Sequence, residues 1–138
     1  MKIIIVGAGV VGSRLANICC EDGHAVVVIE PDHEAATAVA EACDALVLNA
    51  NITDADIMEQ AGADKADSLI ATTGDDAKNL MAIVLARDAN IDSMVAVVND
   101  QGHRHMFERF GVRVLLEPED LIAHHLLKRA ERERDKEQ

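Results

Sequence analysis

The first twelve residues constrain the fold more than any other stretch. Met1-Lys2-Ile3-Ile4-Ile5-Val6 is an apolar run, Gly7-Ala8-Gly9-Val10-Val11-Gly12 follows at once, and a helical pattern begins within the glycine segment. Each glycine answers a separate need: Gly7 a tight turn out of the strand, Gly9 an approach to the backbone that a side chain would block, Gly12 close packing of helix on strand. The first turn of that helix offers unpaired N–H groups and the positive end of the helix dipole, which suits a phosphate. A second apolar run, residues 25–29, ends in Glu30, 18 positions after Gly12. A glycine turn kept only for packing would leave Glu30 without a purpose. A carboxylate at a strand tip can accept hydrogen bonds from both ribose hydroxyls of an adenosine, and it repels a 2′-phosphate. The combination predicts a dinucleotide site that disfavours NADP.

Along the chain, β-type runs alternate with helical patterns. Strands are predicted at 2–6, 25–29, 45–48, 67–72, 93–98 and 112–115, and helices at 10–22, 32–43, 54–61, 76–89, 101–110 and 119–134. Most of the strand runs are continuously apolar, as strands covered on both faces require. The expected class is α/β: a Rossmann-type doubly wound parallel six-stranded sheet in a single domain, residues 1–134, followed by a charged tail, 135–138. Gly23-His24 reads as a C-cap turn, and Pro118 sits where a helix would start.

Composition narrows the function. The net charge of −12, from 25 acids and 13 bases, argues against nucleic acid and against an anionic membrane surface, because both need clustered Lys and Arg. No apolar stretch approaches the roughly 18 residues of a membrane span, which argues against direct insertion. The first strand starts at residue 2, leaving no room for a secretory leader, so a cytoplasmic location is expected. Cys19, Cys20 and Cys43 fit no zinc or redox spacing and read as free thiols. The pairs His103/His105 and His124/His125 do not share a helix face, so no metal site is expected.

Other strand tips should converge on the same ligand. Ala50 and Asn51 leave room for an adenine, while Thr53 or Asp54 suits the cap of a short helix. Thr72, Thr73 and Gly74 can approach the distal half of a dinucleotide, with Asp75 or Asp76 as N-cap. Asn79, inside the first turn of the next helix, is expected either to reach the ligand or to bond locally. Residues 80–86 are apolar on every face, more than one sheet contact needs. With Met106, Phe107 and Phe110 they predict a homodimer contact. No acid/base constellation, nucleophile elbow or P-loop accompanies the glycine motif, so the chain reads as a binding module rather than an enzyme. A small NAD-dependent oxidoreductase and a stand-alone soluble nucleotide sensor are the alternatives.

Taken together, several runs carry a family resemblance. They are residues 3–12, Gly23-His24, Val28-Ile29-Glu30, Ala61-Gly62, Ala66-Asp67, residues 71–76 with Asn79, Phe110-Gly111-Val112 and Glu117-Pro118-Glu119. The chain resembles the TrkA N-terminal family, the KTN or RCK domains that regulate potassium transporters and channels. The resemblance implies a site that takes NAD(H), or ATP, ADP or AMP. It also implies a homodimer or larger ring, on the cytoplasmic face of a membrane-embedded potassium transporter subunit. Carried over by position, Gly7, Ala8, Gly9, Val10, Val11 and Gly12 form the phosphate loop, and Glu30 with Pro31 the ribose side. Ala50 and Asn51 form the adenine wall, and Thr72, Thr73, Gly74 and Asn79 the distal wall. One departure is Ala96-Val97-Val98-Asn99, where relatives carry arginine at the position of Val97. Arg14 is a candidate to supply the missing charge.

Overall fold

The computed structural model describes residues 1–116 and 118–136. Glu117 of the Glu117-Pro118-Glu119 run, and Glu137 and Gln138 of the predicted tail, lie outside the described residues.

The elements run β1 (Lys2–Val6), α1 (Val10–Glu21), β2 (Ala25–Ile29), α2 (His33–Ala42), β3 (Leu46–Leu48), α3 (Ile57–Gln60), β4 (Ser68–Ala71), α4 (Asp76–Asp88), β5 (Ser93–Val98), α5 (Arg104–Glu108), β6 (Arg113–Leu116) and α6 (Pro118–Lys136). The six strands form one sheet in the order β3-β2-β1-β4-β5-β6, every pair parallel. This is the Rossmann-type arrangement expected. β1 is central, with Ile4 opposite Val27 on one side and Leu69 on the other.

Alternation along the strands divides the core in two. Ile3, Ile5, Val26 and Val28 meet Ala16 and Cys19 of α1 and Val39 of α2. Ile4, Val6, Ile29, Leu69, Ala96 and Val98 meet Ile57 of α3, Ile83 of α4 and Phe107 of α5 on the opposite face. With two aromatic rings in the whole chain, β-branched and small side chains fill both layers.

Some boundaries differ from the sequence reading, for local reasons. The helix expected at 54–61 begins only at Ile57, because Asp56 takes a left-handed conformation (φ 61°) before it. Asp54 does not cap it; its carboxylate accepts from Asn51 N–H at 3.0 Å and closes the preceding turn. The helix expected at 101–110 is a 3₁₀ turn followed by five α-helical residues, so Phe107 points into the core and is fully buried rather than available to a partner. α1 ends as expected: Gly23 adopts φ 83°, and His24 N–H reaches back to Cys19 O at 3.0 Å. α6 starts at Pro118 and buries no described residue, with Leu121, Ile122, Leu126 and Leu127 all exposed. No helix among the described residues is long and apolar enough to cross a membrane.

Candidate functional site

The strand order reverses between β1 and β4. Connections leave β1 toward β2 and β4 toward β5, so the carboxyl ends part there and open a crevice. It holds a cavity of about 190 Å³. Gly7, Glu30, Pro31, Asn51, Thr73 and Gly74, six of the residues expected at the site, line it. Asp75 and Lys78 also line it, and the sequence reading had assigned neither to the ligand.

The glycines separate into those the fold needs and those it does not. Gly7 has φ 104°, and a Cβ there would meet Thr72 Oγ1 at 2.8 Å. A Cβ on Gly12 would lie 2.0 Å from Gly7 O, so the helix approaches the strand as closely as only glycine allows. Gly9 and Gly74 differ. Neither has a positive φ, and a Cβ on either would meet nothing within 4 Å. Both leave open space beside the strand tips.

Glu30 is positioned by the main chain around it. Its Oε1 accepts from Ala8 N–H at 2.8 Å and its Oε2 from Asp32 N–H at 2.9 Å. The carboxylate thus ties the glycine loop to the tip of β2 and keeps lone pairs facing the cavity. Among the described residues it has no cationic partner. Asn49 fixes the backbone beneath, donating from Nδ2 to the carbonyls of Glu30 and Pro31 at 3.0 Å each. Sequence reasoning missed that role, whose signal was a polar residue directly after an apolar strand.

The opposite wall is held from below. Asn79 is fully buried; its Oδ1 accepts from Thr73 N–H and Thr73 Oγ1, and its Nδ2 donates to the carbonyls of Thr73 and Val97. Of its two expected roles, local bonding takes up the whole amide. Asp75 caps α4, accepting from Ala77 N–H at 2.9 Å. Asp76 turns inward and receives Asn99 N–H and Nδ2, Asp100 N–H and His103 Nδ1, all within 2.7–3.0 Å. Burial alone would raise this carboxyl. The hydrogen bonds from Asn99, His103 and Asp100 outweigh it and bring the pKa to about 2. His103 is raised in turn, chiefly by its hydrogen bond to Asp76, against burial and with help from the charges of Asp100 and Asp76. His103 is therefore engaged with Asp76, a pairing that its spacing from His105 did not indicate.

The remaining predicted residues lie around this cavity rather than in its lining. Ala8, Gly9 and Val10 border a second groove, of about 480 Å³, between α1 and α2. Val10 and Val11 are exposed at the head of α1. Thr72 donates from Oγ1 to Val6 O at 3.0 Å and pins β4 to β1. Ala50 packs against the core and donates its N–H to Glu30 O. Arg14 is exposed on α1 and lines neither space; the base in the cavity is Lys78.

The family model for the TrkA-N domain matches residues 3–118. The chain belongs to this family. It is 36% identical over 128 residues to a Trk system potassium uptake protein TrkA homolog of Methanothermobacter thermautotrophicus, covering 93% of this chain and 59% of that protein. The chain thus spans about three-fifths of that relative's length. The solved TrkA-N domain of the inner membrane protein ybaL from Escherichia coli superposes with a TM-score of 0.81 at 22% identity, covering 92% of this chain and 94% of that one. The GsuK channel bound to NAD superposes at 0.72 and 23% identity, over 83% of this chain and 21% of the channel chain. The same channel bound to ADP gives 0.72 at 22%, over 83% and 31%. At these identities the structural likeness establishes the TrkA-N fold.

Proposed function

We propose that this TrkA-N domain binds an adenine nucleotide, NAD(H) first and ADP, ATP or AMP as alternatives, in the crevice between β1 and β4. Occupancy then regulates a membrane-embedded potassium uptake assembly from its cytoplasmic side. The domain acts by binding and not by turnover. The observation that carries the reading is Glu30: an unpaired carboxylate, oriented by two main-chain donors, faces a cavity whose neighbouring strand tip carries a bare glycine loop. A ribose diol supplies the hydroxyl donors such a carboxylate lacks. Gly9 and the N-terminus of α1 supply room and N–H groups for the phosphate attached to that ribose. The GsuK channel, solved with NAD and with ADP, supports the same ligand class. The Trk name of the archaeal relative supports the potassium assignment.

The proposed assembly is a homodimer or larger ring. Ala82, Ile83 and Ala86 of α4 are buried in the core, while Leu80, Val84 and Leu85 are half-buried and Met81 is 42% exposed. Met106 of α5 is 41% exposed as well. An apolar helix with both sides occupied in this way suits a second subunit.

Calorimetric titration with NAD, NADH, ADP and ATP tests the ligand. Because Glu30 also holds Ala8 and Asp32, Glu30→Ala should loosen the loop as well as lose the ribose. Glu30→Gln keeps the shape and removes the charge, while its amide nitrogen gives up one of those two main-chain donors. It is expected to weaken the bound nucleotide by roughly 1.5–3 kcal/mol, the worth of hydrogen bonds to a charged group. Equal affinity of wild type and Glu30→Gln would remove the ribose assignment.

A further inference from the structure

Three charged side chains line the cavity: Glu30, Asp75 and Lys78. Two are already committed to main-chain donors, Glu30 to Ala8 and Asp32, Asp75 to Ala77 and Lys78. The third is not. Among the described residues the Lys78 ammonium forms no ion pair, in a chain that carries a net −12. Its position is also unfavourable for the helix. With Asp75 as N-cap, Lys78 is the third residue of α4, where the dipole favours an acid and disfavours a base. Neither an intramolecular contact nor helix stability accounts for a lysine here.

The strand order works as a ruler. Glu30 stands at the tip of β2, the glycine loop at the tip of β1, and Lys78 beyond the tip of β4. Neighbouring strands are about 4.8 Å apart, so the outer two tips are separated by roughly 10 Å. A ligand with its ribose on Glu30 and its first phosphate over the glycine loop brings its next phosphate to the β4 side. At the start of α4 the Ala77 and Lys78 N–H groups are already engaged by the Asp75 carboxylate. The flexible ammonium can serve that phosphate.

We infer that Lys78 reads the second phosphate of the bound nucleotide, so that the cavity selects adenosine compounds carrying a diphosphate over AMP and adenosine. The inference rests on the adenine-nucleotide reading above and deepens it. Lys78 is a specificity residue: it adds nothing to the nucleoside and a charge-assisted contact to the diphosphate.

The test is calorimetric titration of wild-type protein and Lys78→Gln with adenosine, AMP, ADP and NAD. Lys78→Gln is expected to bind ADP and NAD roughly tenfold or more weakly, and adenosine and AMP within about twofold of wild type. It should melt no lower than wild type, since a base is removed from the first turn of a helix. Wild-type protein that takes none of the four compounds overturns the nucleotide reading, and this inference with it. Wild-type protein that binds ADP, with Lys78→Gln losing nothing or losing adenosine and ADP alike, overturns the role of Lys78 alone.

Discussion

At the scale of single residues, the glycine loop contains two kinds of constraint that the motif does not distinguish. Gly12 is required by the fold: a Cβ there would lie 2.0 Å from Gly7 O, against backbone that cannot step aside. Gly9 is required by nothing in the protein. Gly12→Ala is therefore expected to lower stability by roughly 3 kcal/mol, as overpacking against main chain does. Gly9→Val should cost less than about 1 kcal/mol, mainly through a poorer N-cap, yet abolish nucleotide binding by filling the space a phosphate would use. Chemical denaturation with a parallel ligand titration checks both; a Gly9→Val protein that binds normally would contradict the phosphate-loop assignment. The sequence reading assigned Gly7 its turn and Gly12 its close packing correctly, because each follows from spacing relative to the strand. It overlooked Lys78, because a base on a predicted helix carries no spacing signal. The one available clue was its place in the first turn, against the dipole.

Among elements, the β4–α4 connection is tied to the β5–α5 connection by a chain of polar side chains, of which Asp76 and Asn79 are buried. Thr73 bonds Asn79, Asn99 bonds both Thr73 and Asp76, and Asp76 bonds His103. One end of this chain is the cavity wall and the other adjoins α5. Its bonded partners are up to 27 residues apart and separated by a strand, so no local pattern could reveal it. The strands, by contrast, were legible within a residue or two, because continuous apolar runs between turn signals leave few alternatives. The pH dependence follows from the two shifts. His103 is raised in the folded protein, so its contribution is whole below the ordinary value of 6.5 and is lost as pH rises through the folded value. Asp76 is lowered, so its contribution is whole above the ordinary 3.8 and is lost as pH falls toward about 2. Between those limits the tie is strongest. The melting temperature of the wild type should fall more between pH 6 and pH 8 than that of His103→Gln; parallel curves would contradict the pairing. Asp76→Ala, which strands the donors of Asn99, Asp100 and His103, is expected to cost roughly 3 kcal/mol at neutral pH.

For the whole molecule, the fold places the crevice at the first turn of one helix and exposed apolar surface along the middle of the same helix. The first turn of α4 borders the cavity through Asp75 and Lys78, its middle exposes Met81, and α5 exposes Met106. In the proposed assembly, a ligand that shifts the start of α4 acts on a rigid lever whose middle meets a neighbouring subunit. Such a device responds only as far as the ligand prefers one arrangement; a tenfold preference is worth about 1.4 kcal/mol. The double substitution Met81→Glu, Met106→Glu should convert a dimeric protein to a monomer with unchanged circular dichroism. Sedimentation of the wild type as a monomer at high concentration would contradict the interface. The pattern of residues 80–86 revealed an excess of apolar surface on α4, but nothing in the sequence revealed that Phe107 belongs to the core. The central claim, that an adenine nucleotide lies with its ribose on Glu30 and its phosphates across the glycine loop, is tested most directly by amide NMR with ADP. The account predicts shifts concentrated at Gly7–Gly12, Glu30–Asp32 and Thr73–Lys78; saturating ADP that leaves these amides unmoved, or moves others instead, contradicts it.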